Sequence, residues 1–227
     1  MKSILIFCAV ACHLIAKEPD FAYLKAEALP FPSASKAPDA YTSAQLDKMA
    51  SSFNPKIGSY PPQFKDAKDR EVTYGEWARV LVAARQLKEN AGDSESMACL
   101  LATLYRQGHN MDVTQCGTLA GVTVEDALKK YPDSIPVNFQ ASYFYLQINP
   151  KFAIEGEKVL LRLRRLLNTD QNSEVEKGLF FAYLNEGRNE DAEKQLVHCL
   201  ILSSNDPMLR QFREGFKKGN VGTKFIK

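Results

Sequence analysis

The sequence holds no surplus of either charge: 29 lysines and arginines stand against 27 aspartates and glutamates, a formal net charge of +2. Nothing in that balance drives the chain toward nucleic acid or an anionic membrane. After residue 16 no apolar run is long enough to span a bilayer, so no integral membrane span is expected. Histidine is scarce, three in all, and neither His109 nor His198 has an acidic neighbour at helical metal spacing. A glycine-rich phosphate loop, Gly-x-Ser-x-Gly and His-Glu-x-x-His are all missing. These absences give no catalytic residue, no metal site and no cofactor to expect. No segment alternates polar and apolar residues long enough to make a strand, which leaves an all-α chain.

The first sixteen residues differ from the rest. Met1-Lys2 is followed by an apolar block from Ile4 to Ala16, too short to span a bilayer, and then by Lys17-Glu18-Pro19-Asp20. A positive start, a short apolar core and an abrupt polar switch predict a secretory signal cleaved after Ala16. The chain is therefore expected to be exported, periplasmic or secreted. Ala9-Val10-Ala11-Cys12 faintly resembles a bacterial lipobox, in which Cys12 would carry a lipid anchor; a buried N-terminal helix or strand is the bland reading. Cleavage would leave Cys99, Cys116 and Cys199, an odd number without metal-ligand spacing. Small buried helical residues, or a Cys99–Cys116 bridge in an oxidising compartment, both fit.

Residues 17–65 form a leader interrupted by Pro19, Pro30, Pro32, Pro38, Pro55, Pro61 and Pro62. Proline removes a backbone donor and bars the preceding residue from much of helical space, so no long element runs here. A short helix around Thr42–Ser52, capped by Ser43, is the exception. From Asp66 the pattern becomes helical: Trp77, Val80, Leu81, Ala84 and Leu87 recur at spacings of three and four, with Arg79, Arg85 and Lys88 outside the stripe. This gives a capping helix over 66–94, ending at Asn90-Ala91-Gly92-Asp93, where Gly92 is free to take positive φ. Residues 207–227 supply a second capping helix, with Phe212 and Phe216 four apart, and a basic tail.

Between the caps, residues 95–206 carry a threefold self-similarity. Leu101, Ala102 and Tyr105 are followed by Ala120, Val124 and Ala127; Ala141, Ser142 and Tyr145 by Gly156, Leu160 and Leu163; Leu179, Phe180 and Tyr183 by Ala192, Leu196 and Cys199. Each set places an aromatic in one helix and a small–large–small triple in the next, the arrangement that close-packed helix pairs need. Phe180 stands where a small residue is expected. The turns after Tyr105 and Tyr145 are longer than the pattern, and Gly121 makes Thr123 an alternative start for the first second helix.

This pattern resembles the tetratricopeptide repeat over about half the chain. The resemblance implies a short α-solenoid of two to three degenerate helical hairpins, and a scaffold whose concave helix A face grips a protein or peptide partner. Carried onto this sequence, the groove-facing positions are Thr103, Arg106 and Gln107; Phe139, Tyr143, Leu146 and Gln147; and Lys177, Phe181, Leu184 and Asn185. Of these, Arg106, Gln107, Phe139, Tyr143, Gln147, Lys177, Phe181 and Asn185 are the candidate partner-binding residues. The leader is a candidate intramolecular ligand for the same groove, covering Phe139, Tyr143 and Phe181.

Two polar runs stand outside this scheme. Arg106-Gln107-Gly108-His109-Asn110-Met111-Asp112 reads as a capped turn with Gly108 ending a helix, or as an acid–base or metal pair of His109 and Asp112. Lys158, Arg162, Arg164 and Arg165 form a basic patch, partly offset by Glu155 and Glu157, which reads as a solvated face or a phosphate site. The function expected is a non-catalytic interaction scaffold or assembly factor of the cell envelope. A helical-repeat enzyme acting on envelope material, or a structural subunit of an envelope complex, remains the alternative; an unrelated helical bundle is the alternative fold.

Overall fold

The prolines of the leader leave space for one helix of useful length, and that helix forms. The computed structural model describes residues 29–32, 41–148, 150–219 and 221. The expected signal segment at 1–16, with Cys12, most of the leader up to residue 40 and the end of the basic tail lie outside the described residues. Helix α1 spans Ser43–Ser52, and its cap is Thr42 rather than Ser43. Thr42 accepts from the Gln45 amide while the Gln45 side chain reaches back to the Thr42 amide, a reciprocal pair that satisfies two orphan donors. A single helical turn, α2 (Asn54–Ile57), follows.

The described residues are all-α. Helix α3 runs Ala67–Ala91, capped by Asp66 and stopped at Gly92, whose φ of 86° is the left-handed stop expected of it. Then come α4 (Glu95–Asn110), α5 (Cys116–Lys130) and α6 (Ile135–Tyr143), the last continued by a π-helical turn at Phe144–Ile148. After a 3₁₀ turn, α7 covers Ala153–Leu167, α8 Ser173–Asn185, α9 Asn189–Leu202 and α10 Pro207–Lys217. No strand occurs among the described residues; one isolated parallel bridge joins Leu29 to Val113. None of the described helices is long and apolar enough to cross a membrane.

The chain divides into two units, residues 21–140 and residues 141–227. In the first, α4 packs on α5 and on α3, and α1 and α2 lie on α4. Trp77 is the anchor: it is fully buried, and its Nε1 donates to the Leu104 carbonyl at 3.0 Å. Gly108 does not end α4 but lies inside it, where a Cβ would come within 2.5 Å of both Trp77 Cζ2 and Cys116 Sγ. Helix α5 begins earlier than Ala120 or Thr123, at Cys116, because Gln115 takes a left-handed φ of 66° that turns the chain into the helix.

In the second unit α7 packs on α8, α8 on α9 and α9 on α10. The triple Ala192, Leu196 and Cys199 is buried against Phe180, Leu209 and Phe212. Phe180, the residue too large for its repeat position, is accommodated because its ring extends to Phe212 of α10 at 5.1 Å. The close helix approach shifts to Gly178 instead, where a Cβ would meet Leu160 of α7 at 2.8 Å. At the α8–α9 turn Gly187 has φ 75°, and Arg188 lies 4.4 Å over the Tyr183 ring while pairing with Glu157, Glu186 and Asp191.

Candidate functional site

Helix α4 places Thr103, Arg106, Gln107 and Asn110 on one side, at spacings of three and four. The targets of Arg106, Gln107 and Asn110 lie on the leader. Gln107 Nε2 donates to the Ala50 carbonyl at 2.8 Å and to Asn54 Oδ1 at 3.0 Å. Asn110 Nδ2 donates to the Ile57 carbonyl at 2.9 Å, and Arg106 Nη1 donates to the Gly58 carbonyl. The accepting carbonyls sit at the C-terminal ends of α1 and α2, where helical carbonyls lack intrahelical partners. All three side chains are buried, Gln107 completely. This face of α4 thus grips backbone oxygens, and what it holds is residues 43–58 of its own chain.

Among the described residues, the leader therefore meets the candidate groove positions at Arg106 and Gln107. A Lys56–Asp69 ion pair at 2.6 Å fastens α2 to α3 as well, and with the Lys65 amide it holds the Asp69 carboxyl below its usual range. Any outside partner reaches Arg106 and Gln107 only after displacing α1 and α2.

The other candidates are half-buried. Phe139 lies on α6 in the first unit. Tyr143 donates to Glu174 Oε1 at 3.3 Å, and Gln147 sits in the π-helical turn. Lys177 pairs with Asp206 at 3.1 Å, which helps fix the start of α10 that Asp206 caps. Phe181 stacks edge-on against Phe212 at 5.9 Å, so part of its ring belongs to the core. Asn185 ends α8. The Tyr143–Glu174 bond joins the last residue of α6 to α8, and no partner-sized groove geometry follows from these contacts alone.

Sequence reasoning missed the most buried charge. Glu176, fully buried on α8, receives Arg164 Nε at 2.9 Å and Arg164 Nη2 at its other oxygen, with Gln195 Nε2 at 2.7 Å. His198 Nε2 donates to the Asp170 carbonyl at 2.8 Å and stands 3.6 Å from Glu176. The basic patch on α7 loses Arg164, which is turned to a buried partner, while Glu157, expected to offset the patch, is engaged by Arg188 instead. A clue was available in Glu176 lying between Val175 and Leu179, on the inward side of its helix.

Cys99, Cys116 and Cys199 are free; burial pushes Cys116 and Cys199 up to about 12 and Cys99 up to about 11, which keeps them as thiols at neutral pH. Among the described residues no cluster of His, Cys, Asp and Glu fits a metal ion. Asp112 joins His109 only through its backbone amide, which donates to the His109 carbonyl at 3.0 Å. Of that run, Arg106–Asn110 belong to α4, and the turn begins only at Met111, one helical turn later than a stop at Gly108 would place it.

Comparison with family models, curated proteins and solved structures finds no match for this chain.

Burial holds the His109 imidazole down at about 4, against about 6.5 in an unfolded chain. With the folded pKa depressed, the unfolded chain takes up the proton first as pH falls. Stability from this group is full above about 6.5 and declines toward 4, by at most about 3 kcal/mol. Burial raises Asp112, which acts in the opposite sense, while Asp69, Asp93 and Asp206 are held low and act below the ordinary carboxylate range. His109→Gln is expected to flatten the stability slope between pH 6.5 and 4.5, measured by urea denaturation. An unchanged slope would show that the imidazole is not the group responsible.

Proposed function

We propose that this protein is a non-catalytic binding scaffold, exported to the cell envelope, that holds a protein or peptide partner on the helix A faces of tetratricopeptide-like repeats. The observation that carries this reading is the grip of α4 on residues 43–58: Gln107, Asn110 and Arg106 bond carbonyl oxygens, which every peptide offers. The burial of all three small–large–small triples is consistent with close-packed helical pairs. The export assignment rests on Met1–Ala16 and the compartment on that segment alone. In the second unit, Tyr143, Gln147, Lys177, Phe181 and Asn185 are the positions assigned to the partner; they combine aromatic area with amide and ammonium donors.

A photo-crosslinking amino acid tests this without unfolding the chain. Placed at Gln147 or Asn185 in the cells that make the protein, it should join one and the same partner. Placed at Val197 or Ile201, exposed on the second helix of the last pair, it should not. Equal yields from all four positions, or none from Gln147 and Asn185, would remove the helix A face from consideration.

A further inference from the structure

The connection between α4 and α5, Met111–Gln115, is longer than a helical hairpin of this type requires, and its backbone is unusual. Asp112 has φ 62° and Gln115 has φ 66°, both left-handed and neither a glycine. The kinks leave the Asp112 carbonyl and the Thr114 amide pointing away from the hairpin. Met111 and Val113 are buried beneath them and fix the turn in place. A short length of strand edge is therefore exposed in a protein that otherwise has no sheet among its described residues.

That edge is in use. Leu29 N donates to the Asp112 carbonyl at 3.2 Å, and the Leu29 carbonyl accepts from Thr114 N at 3.0 Å, a parallel bridge to Val113. The next carbonyl, of Pro30, accepts from Tyr74 Oη at 2.8 Å, and the Phe31 ring lies 5.3 Å from the Arg85 guanidinium carbon. Tyr74 and Arg85 belong to one stripe of α3, with Ala78 and Leu81 between them at spacings of four, three and four. Pro30 and Pro32 carry no N–H, so Leu-Pro-Phe-Pro stays extended and asks for few ladder bonds. Three anchors are backbone groups, one is an aromatic ring, and the segment itself is only half-buried or exposed.

We infer that the Asp112–Thr114 edge together with Tyr74 and Arg85 is a binding site for extended Pro-Phe-Pro-type segments, filled in cis by Leu29–Pro32 and open in trans to such a segment of a partner protein. The edge supplies affinity through main-chain bonds, and the guanidinium selects an aromatic between prolines. The site lies on α3 and the α4–α5 turn, apart from the helix A face, and does not depend on the function proposed above. Its occupant differs from residues 43–58 in kind: that grip is made by buried side chains, whereas this one is shallow and exchangeable. The tethered segment competes as though present at a concentration on the order of mM, so an outside peptide meets a partly blocked site.

The test is fluorescence anisotropy with a labelled peptide of residues 27–33 and the full chain. Leu29→Pro with Phe31→Ala removes the cis amide and ring, and this chain should bind the peptide at least about tenfold more tightly than the wild type. Adding Tyr74→Phe or Arg85→Ala should weaken that binding several-fold, and a peptide with Phe31→Ala should not bind. Trp77 fluorescence and far-UV circular dichroism establish that each variant is folded; Tyr74→Phe keeps its ring beside Trp77. Equal binding by wild type and the double variant, or binding indifferent to Tyr74 and Arg85, overturns the assignment. A wild-type dimer abolished by Leu29→Pro with Phe31→Ala would give the site to a second copy of this chain, and would overturn the partner reading.

Discussion

Trp77→Ala is expected to lower the stability of the first unit by about 3–5 kcal/mol, a large part of the 5–15 kcal/mol typical of a domain. The indole is fully buried, and three elements depend on it. It lies on α3, its Nε1 bonds the Leu104 carbonyl of α4, and its six-membered ring fills the space that Gly108 leaves between α4 and the start of α5. Alanine leaves a cavity there that the helices cannot close, because α4 is already held against α5 at Gly117, where a Cβ would come within 2.9 Å of His109. Trp77→Phe keeps most of the ring and loses the hydrogen bond, so about 1–2 kcal/mol is expected. Gly108→Ala fails in the opposite direction, by overpacking, at about 1–3 kcal/mol, and its penalty should shrink in the Trp77→Ala chain. Because Trp77 is the single tryptophan, the urea midpoints are read by far-UV circular dichroism. A Trp77→Ala shift below about 1 kcal/mol would mean that α3 is not anchored through this residue.

The helical part of this architecture was legible because it is written in periodicity. Trp77, Val80, Leu81 and Ala84 are buried as their spacing required, and so are the three triples on α5, α7 and α9. Gly92 takes the left-handed φ that its position in the turn called for. What periodicity does not encode is which buried face meets which segment. Arg106 and Gln107 are hydrophilic and occupy groove positions, so they were expected to face a partner; their partner is carbonyl groups of α1 and α2, far away in sequence. Backbone acceptors carry no sequence signature, and nothing in Ala50 or Gly58 announces that an amide will seek its oxygen.

The same limit explains the connection between α4 and α5. Its excess length was visible, and its use was not, since the pairing of Leu29 with Val113 is a main-chain contact between two stretches that show no alternating pattern. Gly108 was misplaced for a related reason. Glycine near the end of a helix suggests a stop, yet here its lack of a side chain serves the approach of Trp77 and Cys116. The leader was expected to lie on the groove, and two of its stretches are held in the first unit: residues 43–58 by side chains of α4, and residues 29–31 by the backbone of the α4–α5 turn together with Tyr74 and Arg85 of α3.

Arg164→Ala is expected to cost about 3–5 kcal/mol in the second unit, and the reason is the carboxylate it strands rather than the arginine it removes. Glu176 has no exposed side-chain surface, while Arg164 is 32% exposed. With Arg164 present, both carboxylate oxygens are satisfied, one by Nε and the other by Nη2 and Gln195. Without it, Gln195 is the one strong donor left, and His198 at 3.6 Å is already committed to the Asp170 carbonyl. A buried ion missing its counter-ion loses far more than an exposed one, since the Glu176 carboxylate itself has no solvent-exposed surface. Glu176→Gln should therefore cost less, about 1–2 kcal/mol, because Arg164 retains access to solvent and a neutral amide is cheaper to bury. The decisive variant is the double one: Arg164→Ala with Glu176→Gln should be more stable than Arg164→Ala alone. Chemical denaturation of the four chains measures this coupling directly. A double variant that merely sums the two single losses would show that α7, α8 and α9 are held by packing, with the charges contributing nothing of their own.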